Sequence, residues 1–576
     1  MRNNLLDGDV PTGDKTYGSS SYSSAGSGSG SSNGLASYLS ADETKTISRR
    51  TFTLLTLTAV VLLIIAISLG LALHFKRSTV IEENTTPATP PDPSSLPANI
   101  QSADLMTHLN ALQSIATANN NTRVITLPGF NASVDYIYKT LADNTNFKLQ
   151  KQYFPVERWF VNIDQTSLTS WDSDGTHYTY LYGTDYVAIT NSGVQGPNVE
   201  NSTVAYVANG GCVQADWDAY NNSISPIAGQ IAIVERFDYI CNFTRQAQWA
   251  QNYGAIGLIV YNTEDNPNLL TNLAVTQYTA IPVFLTTFQV GNGFWQAAQA
   301  GKGFYITMNL NLANTGTVIV TNIIADTMVG DVTSTVVVGS HMDGVQAGPG
   351  VNDNGSGSSA NLAMALRVSE MLKSGAWGTL PNRVRFMWFG AEEQGLLGSR
   401  YHVQQAQQST VVGERASDYA VMLNYDMLGS PNFYYGVYNA TTAPVNTPTR
   451  ALAGSRIITQ LHYDYFTANG LPYDGTPFDG RSDYGQFLAV GVVAGGLFSG
   501  AEQRKTVEQR NRYDAVLGVG MGGQANAAYD PCYHQFCDDV RNIHQGAHLN
   551  MTRAAASVVQ TLATKSDLRT YLQYPQ

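Results

Sequence analysis

Positive charge is scarce in this sequence of 576 residues, which holds 32 lysines and arginines against 44 aspartates and glutamates. The net charge is −12. Nucleic-acid-binding proteins need basic surfaces that neutralise phosphates, and no basic patch or recognition motif offsets the acidic balance here. We therefore expect no nucleic-acid partner.

Two enzyme signatures are also missing. Glycine clusters such as "YDGTPFDG" do not follow a strand in a phosphate-loop pattern, which argues against nucleotide binding. Ser356, in "NGSG", lies outside any nucleophile-elbow pattern, so a serine hydrolase is not expected.

Cysteine is rare as well. The four residues Cys212, Cys241, Cys532 and Cys537 could form two disulfides, remain buried thiols or bind metal. Their spacing alone does not distinguish these states, which depend on the cellular compartment.

Residues 52–75 form a long stretch without a charged side chain, ending before Lys76 and Arg77. At ~1.5 Å per residue a helix of this stretch spans roughly 36 Å, more than a bilayer core of about 30 Å. A cleaved signal peptide would have a shorter apolar region nearer Met1. We predict a transmembrane signal anchor at residues 51–75.

N-x-[ST] triplets lie only on the carboxyl side of this stretch, as do all four cysteines. Basic residues flank both ends and leave the orientation open, but the triplets indicate a lumenal or extracellular carboxyl side with disulfides. The prediction is a single-pass type II membrane protein of the vacuole, lysosome or cell surface. The acceptor residues are Asn84, Asn120, Asn131, Asn201, Asn221, Asn242, Asn354, Asn439 and Asn550.

Composition divides the rest of the chain. Residues 1–50, rich in Ser, Gly, Tyr and Thr, are predicted to be a disordered cytoplasmic tail, and residues 76–98 a Pro-rich stalk. Helical spacing begins near Asn99. From about 200 to 310, short strands alternate with turns and one helix-like stretch, "FTRQAQWAQNYG".

The carboxyl half alternates strands with helical patterns, which is typical of a parallel α/β sheet covered by helices. The predicted strands are "TNIIAD", "TSTVVVGS", "NRVRFMWFG", "YAVMLNYD" and "VVAGGLFSG". In such sheets ligands bind beyond the carboxyl ends of the strands.

Imidazole and carboxylate groups stand where these strands end. His341 follows "TSTVVVGS", Glu392 and Glu393 follow "VRFMWFGA", and Asp426 ends "VMLNYD". Asp353 lies in the Gly-rich loop that follows His341. Like charges gathered at one sheet edge repel unless cations lie between them, so the pattern predicts a metal site.

The donor types indicate the metal. Imidazole mixed with carboxylates suits zinc, and a catalytic zinc keeps one position open for water. Neighbouring side chains in an extended segment point to opposite sides, so one of the adjacent glutamates could bind metal while the other acts as general base. The remaining histidines, expected to be structural or exposed, include His402, His462, His544 and His548.

Six motifs resemble, in order and spacing, those of the co-catalytic di-zinc aminopeptidases related to vacuolar aminopeptidase Y and the secreted bacterial aminopeptidases. They are "SHMDGV", "GVNDNGSG", "WFGAEEQGLLGS", "NYDMLG", "GRSDYGQF" and "CYHQFCDD". The resemblance covers roughly residues 99–570. It implies an α/β fold, a mixed and mainly parallel sheet flanked by helices, known as the zinc exopeptidase fold.

An inserted domain is part of the resemblance. Residues from about 155 to 312 are similar to the β-rich protease-associated domain that this family inserts, a domain class usually without a catalytic role. The implied division is a peptidase domain at 99–155 and 313–576, interrupted by a protease-associated domain at 156–312.

The resemblance also implies a ligand set for two zinc ions per chain. His341 and Asp426 would hold one, Glu393 and His534 the other, and Asp353 would bridge them. No ligand is substituted. Asn354 lies in the metal loop and is not expected to carry sugar.

The implied catalytic residues are Glu392, as general base, and Tyr533, which would stabilise the tetrahedral oxyanion. Disulfides are implied between Cys532 and Cys537 and between Cys212 and Cys241. The implied reaction is hydrolysis of the first peptide bond of peptides with a free amino terminus, by a monomeric ectodomain on one membrane helix.

Three alternatives stay open. A glutamate-carboxypeptidase-like enzyme would carry a long helical segment after the last ligand, and only 42 residues follow His534. A glutaminyl-cyclase-like enzyme would use one zinc and lack the insertion. A transferrin-receptor-like binding scaffold would have lost ligands, whereas all five are present.

Overall fold

The computed structural model describes residues 92–189, 192–193, 198–236, 243–268, 270, 279–301, 303–444 and 447–573. The predicted tail, the predicted membrane anchor at 51–75 and most of the predicted stalk lie outside these residues. Within the described part of the chain, no helix is both long enough and apolar enough to cross a bilayer.

The strands of the described residues form three sheets. In chain order they are β1 (Lys148–Val161), β2 (Ser167–Trp171), β3 (His177–Tyr180), β4 (Tyr186–Ala188), β5 (Val199–Ser202), β6 (Val204–Tyr206), β7 (Ile231–Glu235), β8 (Gly257–Tyr261), β9 (Val283–Thr286), β10 (Tyr305–Asn309), β11 (Leu312–Asp326), β12 (Asp331–His341), β13 (Asn382–Phe389), β14 (Tyr419–Asp426), β15 (Gly436–Tyr438), β16 (Asp474–Thr476) and β17 (Val493–Phe498).

The described residues form thirteen α-helices, and the longer ones bury apolar side chains spaced three or four residues apart, as Val134, Ile137 and Leu141 are. The helices are α1 (Leu96–Asn99), α2 (Ser102–Ala118), α3 (Pro128–Asn144), α4 (Gln214–Ser223), α5 (Phe243–Asn252), α6 (Phe288–Gln299), α7 (Gly357–Ser374), α8 (Leu397–Gln408), α9 (Thr449–Ala468), α10 (Tyr484–Ala489), α11 (Val507–Leu517), α12 (Gln545–Ala563) and α13 (Leu568–Tyr571).

The main sheet has eight strands in the order β1-β11-β13-β12-β14-β17-β15-β16. Strands β13, β12, β14 and β17 run parallel to their neighbours in this group, and antiparallel strands flank them. The predicted mixed, mainly parallel α/β sheet is confirmed.

Side chains of the central strands alternate between two apolar cores. In β12, Val336 and Val338 belong to the larger core, whereas Val337 belongs to the core on the opposite face. Helices α3, α7 and α12 cover the first face, and α8 and α10 cover the second. Because both faces are buried, these strands are apolar throughout, as their sequences indicate.

The inserted domain lies between β1 and β11, whose antiparallel pairing runs from Lys148 opposite Asp326 to Val161 opposite Leu312. It contains a five-stranded sheet, β4-β9-β8-β7-β6, and a four-stranded sheet, β3-β2-β10-β5. Sequence analysis predicts one helix here, which is α5. The structure adds α4, whose polar sequence gives a weak helical pattern, and α6, which contains the glycines Gly291 and Gly293.

The main domain begins earlier than predicted. The predicted stalk extends to residue 98, but Leu96 is fully buried in the larger core. Its backbone N–H donates to Gln560 Oε1 on α12 at 2.7 Å. The last residues of the predicted stalk therefore belong to the folded domain. Composition does not reveal this, because prolines and serines surround the single buried leucine.

Candidate active site

Three neighbouring strands deliver the candidate side chains to one edge of the main sheet. His341 is the last residue of β12 and Asp426 the last of β14, while Glu392 follows the end of β13 by three residues. Because these strands are parallel, their carboxyl ends meet at the same edge. The structure brings these predicted residues together at this edge.

Asp353 reaches the same place from the irregular turn before α7. Gly350 starts this turn with φ 64°, and a Cβ atom on it would lie 2.5 Å from the Asp353 carbonyl oxygen. Only glycine fits such a contact at a positive φ. The glycines of this loop therefore allow the backbone to return over the sheet edge.

The adjacent glutamates do not lie in an extended segment, so that part of the sequence argument is wrong. Ala391 has φ 59°, and the N–H groups of Gly395 and Leu396 donate to the Glu392 carbonyl at 2.8 and 2.7 Å. The pair thus occupies a tight turn that leads into α8. Both carboxylates line the same pocket but have different nearest partners.

His534, placed in sequence only by resemblance, completes the group. It lies inside the loop closed by the Cys532–Cys537 disulfide, with φ 57°. The Tyr533 ring stacks on its imidazole, with centroids 3.9 Å apart. Cys212 is also disulfide-bonded, while Cys241 lies outside the described residues.

The donor atoms form two overlapping sets that share Asp353. His341 Nε2 lies 3.3 Å from Asp353 Oδ1 and 3.4 Å from Asp426 Oδ1. His534 Nε2 lies 3.1 Å from Asp353 Oδ2 and 3.0 Å from Glu393 Oε2. Both sets bring three possible metal ligands together, and His341, Glu392 and Glu393 form a further possible group.

These separations fit zinc. Ligand atoms about 2.0–2.1 Å from a tetrahedral zinc lie about 3.3 Å from one another. Two of the donor-set atoms, Asp426 Oδ1 and His534 Nε2, are buried and make no hydrogen bond to the described residues, and the same holds for Oε1, the other carboxylate oxygen of Glu393. Buried polar atoms without partners are rare, so their convergence supports a metal between them.

The electrostatics of the cluster require positive charge. Burial raises the pKa of Glu392 well above its usual value; His341 opposes the rise, and Glu393 and Asp426 add to it. Burial would lower the pKa of His341, yet Glu392 and Asp426 raise it well above its ordinary value. Bound cations would stabilise the ionised carboxylates in the same way.

Supporting residues fix the donors, and sequence reasoning missed them. The His341 Nδ1–H donates to the Asp343 carbonyl at 3.2 Å, which leaves Nε2 free to bind metal. The buried Asp343 carboxylate accepts from the backbone N–H groups of Glu392 and Glu393 at 3.1 and 3.3 Å. Asp343 lies within the "SHMDGV" motif, which is the signal that could have revealed it.

A second group holds the Asp353 turn. The Asp538 carboxylate accepts from the backbone N–H groups of Asn352 and Asp353 at 2.8 and 3.0 Å. The fully buried Arg123 guanidinium donates to the carbonyls of Met342, Pro349 and Gly350. Arg123 lies more than two hundred residues earlier in the chain, and no local pattern connects it to the site.

A pocket of about 450 Å³ opens beside the donor sets. Tyr533 lies at its wall near the ligands. Aromatic side chains in contact with one another also line it, among them Tyr434, Tyr438, Phe498 and Tyr529. The pocket is large enough for one amino-acid side chain and the start of a peptide.

Other histidines have structural surroundings. His402, His462 and His548 are buried, and His544 caps α12 by accepting from the Ala547 N–H at 3.1 Å. Asn354 is buried as well, and its side-chain amide donates to the Tyr425 carbonyl at 3.0 Å. Its acceptor triplet is therefore inaccessible.

Comparison with known proteins identifies the family. An aminopeptidase of Pseudomonas aeruginosa is 34% identical over 467 residues, which cover 79% of this chain and 80% of that protein. Residues 322–559 match Peptidase family M28. The chain belongs to peptidase family M28. As a member of M28 it is a zinc metallopeptidase, a hydrolase.

Other M28 relatives are also aminopeptidases by name. A probable leucine aminopeptidase 2 of Aspergillus fumigatus is 32% identical over 484 residues, 82% of this chain and 86% of that protein. The solved aminopeptidase from Aneurinibacillus sp. strain AM-1 has the same fold, with a TM-score of 0.54 at 20% identity, covering 82% of this chain and 95% of that one.

The inserted domain of this M28 chain is also recognised. Residues 194–294 match the PA domain, which confirms the predicted kind of insertion. The disulfide bond between Cys532 and Cys537 is typical of a secreted or lumenal domain.

Proposed function

We propose that this M28 enzyme is a di-zinc aminopeptidase that removes the first residue from peptides with a free amino terminus. The observation that carries the proposal is the pair of donor sets that share Asp353. His341 and Asp426 would hold one zinc, and Glu393 and His534 the other. When bound, the ions would supply Lewis acidity, which lowers the pKa of water and polarises the peptide carbonyl.

Glu392 is the proposed general base. Its Oε2 lies 3.8 Å from His341 Nε2, farther than either histidine nitrogen lies from the carboxylate oxygens of its own donor set. Its carboxylate therefore stands beside the ligands and remains available to accept a proton from the attacking water. It then delivers this proton to the departing amine, and the products are a free amino acid and a shortened peptide.

Tyr533 is proposed to donate a hydrogen bond to the oxyanion that forms at the attacked carbonyl. Burial raises the pKa of its hydroxyl well above the usual value, so the group keeps its proton at neutral pH. A neutral donor in a water-poor pocket stabilises developing negative charge effectively.

The carboxylates of Glu392 and Asp426 support the choice of an exopeptidase. Both line the pocket at its ligand end, where a protonated α-amine of the substrate would meet negative charge. An acetylated amino terminus carries no such charge and would leave these buried carboxylates uncompensated.

The proposal includes the cellular setting predicted from sequence. The anchor at residues 51–75 would hold a monomeric, glycosylated ectodomain of the vacuolar aminopeptidase Y type on the lumenal or extracellular side. Asn120, Asn131 and Asn201 support it, since their side chains lie on exposed residues where glycans could attach.

Chromogenic substrates test the proposal directly. The purified enzyme should hydrolyse leucyl or lysyl substrates, lose this activity with a chelator, and leave N-acetylleucyl substrates intact. Equal cleavage of acetylated and free substrates would contradict an aminopeptidase, even if the activity depended on zinc.

A further inference from the structure

A buried asparagine of β11 contacts the turn that carries Glu392 and Glu393. Asn322 is fully buried and lies directly opposite Gln152 of β1, in the strand pair that leads to the inserted domain. Its Nδ2 donates to Gln152 Oε1 at 3.0 Å. Two further hydrogen bonds join the Asn322 side chain to the backbone on either side of the glutamates.

The two hydrogen bonds hold the glutamate turn at both of its ends. Asn322 Oδ1 accepts from the backbone N–H of Gly390, two residues before Glu392, at 3.0 Å. Its Nδ2 donates to the carbonyl of Gly398, five residues after Glu393, at 2.9 Å. A Cβ atom on Gly398 would lie 2.5 Å from Asn322 Oδ1, so this close approach needs glycine. One amide thus bridges the start and the end of the turn.

The Asn322 amide satisfies these partners in one orientation. Its oxygen faces an N–H group, and its NH₂ group faces two oxygens, those of Gly398 and Gln152. A flipped amide would place oxygen against oxygen on one side and N–H against N–H on the other. Gln152 is held in turn, because its Oε1 lies 3.2 Å from Nδ1 of His402 on α8. The amide is therefore kept in the orientation that binds the turn.

The turn needs support from outside its own backbone. Ala391 has φ 59°, a conformation that alanine disfavours, and such backbone persists only where its surroundings fix it. Asp343 binds the N–H groups of Glu392 and Glu393 inside the turn, whereas Asn322 binds its two ends. The positions of both carboxylates therefore depend on these two side chains.

We propose that Asn322 is a positioning residue that fixes where both glutamate carboxylates lie. Without its amide the ends of the turn lose their shared partner, and Glu392 is displaced from the attacking water. A displacement of about 1 Å costs about 10²-fold in rate. Glu393 is displaced from His534 at the same time, so zinc binding weakens as well. The inference rests on the proposed roles of the two glutamates.

Substitutions in the full-length chain test this role. Asn322→Ala removes all three hydrogen bonds. It should lower kcat for a leucyl substrate about 10- to 100-fold, the usual cost of losing a group that orients a metal ligand. Gln152→Leu removes only the partner of the Asn322 amide and should lower kcat several-fold. Gln152→Glu keeps an oxygen that accepts from Asn322 and should retain most of kcat.

Asn382→Ala is the matched control. Asn382 is also a buried asparagine, but it is the first residue of β13, at the opposite end of the strand from the glutamate turn. Its Nδ2 donates to the carbonyls of Leu562, Ala563 and Lys565. A general loss of stability should therefore affect both variants, whereas a loss of kcat should follow only Asn322→Ala.

Metal binding gives readouts besides turnover. Competition with a chelator should show a zinc dissociation constant raised about 10- to 100-fold for one of the two ions in Asn322→Ala, and unchanged values in Asn382→Ala. In the cobalt-loaded chain the visible absorption reports the geometry of the ligands. This absorption should change in Asn322→Ala alone.

The outcomes are distinct. A zinc-loaded wild-type chain without aminopeptidase activity would refute the proposed function. If the wild type is active, full kcat in Asn322→Ala, or an equal loss of kcat in Asn382→Ala, would overturn this inference. Losses of kcat and zinc affinity confined to Asn322→Ala support it. If Asn322→Ala does not fold, a lower kcat in Gln152→Leu than in Gln152→Glu supports the inference, and equal values overturn it.

Discussion

The adjacent glutamates offer the sharpest test of the site, because Glu392→Gln and Glu393→Gln make the same chemical change one residue apart. Glu393 Oε2 lies 3.0 Å from His534 Nε2, within the range for two ligands of one zinc, whereas Glu392 Oε2 lies 3.8 Å from His341 Nε2. The proposed function therefore has Glu393 bind metal and Glu392 transfer the proton.

The expected losses differ in kind. Glu393→Gln replaces an ionised ligand by a neutral amide and should weaken zinc binding more than the 10- to 100-fold typical of outer-shell changes. Glu392→Gln should keep both zinc ions and lose ~10² to 10⁴ in kcat, which is about 3 to 5 kcal/mol of transition-state stabilisation at ~1.36 kcal/mol per tenfold change.

The assay pairs zinc content per chain with kcat on a leucyl substrate. Glu370→Gln is the matched control, because this exposed carboxylate pairs with Arg367 at the surface and should change neither quantity. Near-full turnover in Glu392→Gln, or zinc loss there while Glu393→Gln keeps both ions, would refute the assignment.

Four further outcomes are expected. Chelation should abolish hydrolysis and added zinc restore it, with two zinc ions per active chain; full activity at zero metal content would rule out the di-zinc site. Replacing residues 1–77 by a cleavable signal peptide should yield a soluble, secreted glycoprotein, and an unchanged mobility of the full-length protein after glycosidase treatment would contradict the predicted topology. Gly350→Ala should weaken zinc binding because its Cβ would overlap the Asp353 carbonyl oxygen. The control Gly375→Ala, at φ 77° with open space around it, should lower the free energy of unfolding by about 1 kcal/mol and leave zinc binding unchanged. Equal zinc affinity in both variants would refute the role of the turn that begins at Gly350. Burial lowers the pKa of His462 and His548 to about 4, below the value of histidine in the unfolded chain. The free energy of unfolding should therefore be highest above pH ~6.5 and fall by about 1 to 2 kcal/mol per histidine between pH 7 and 5. Denaturant titrations that show no such fall over this range would contradict the prediction.

The central strands are predictable from sequence because burial on both faces determines the composition of the whole strand. The apolar strand that ends at His341 and the one that ends at Asp426 are buried on both faces, so their composition reveals them. The shared edge of parallel strands then places their last residues together.

The rest depends on contacts between distant parts of the chain. Asp343, Asp538 and Arg123 act through hydrogen bonds with folded backbone. Asp343 and Asp538 lie within the "SHMDGV" and "CYHQFCDD" motifs, but the motifs do not show which backbone groups they bind, and Arg123 lies in no motif. The turn at Glu392 is also not predictable from sequence. Ala391 adopts a positive φ, which alanine disfavours, so its residue type does not indicate a turn there.

The order of the ligands along the chain has a consequence for biosynthesis. His534 emerges from the ribosome 108 residues after Asp426, and its loop closes only when Cys532 and Cys537 are oxidised. A nascent chain that already exposes the other four ligands therefore lacks the second histidine. In a secreted or lumenal domain the ligand set would be complete only after translocation. The enzyme would therefore not hydrolyse cytosolic peptides during its synthesis.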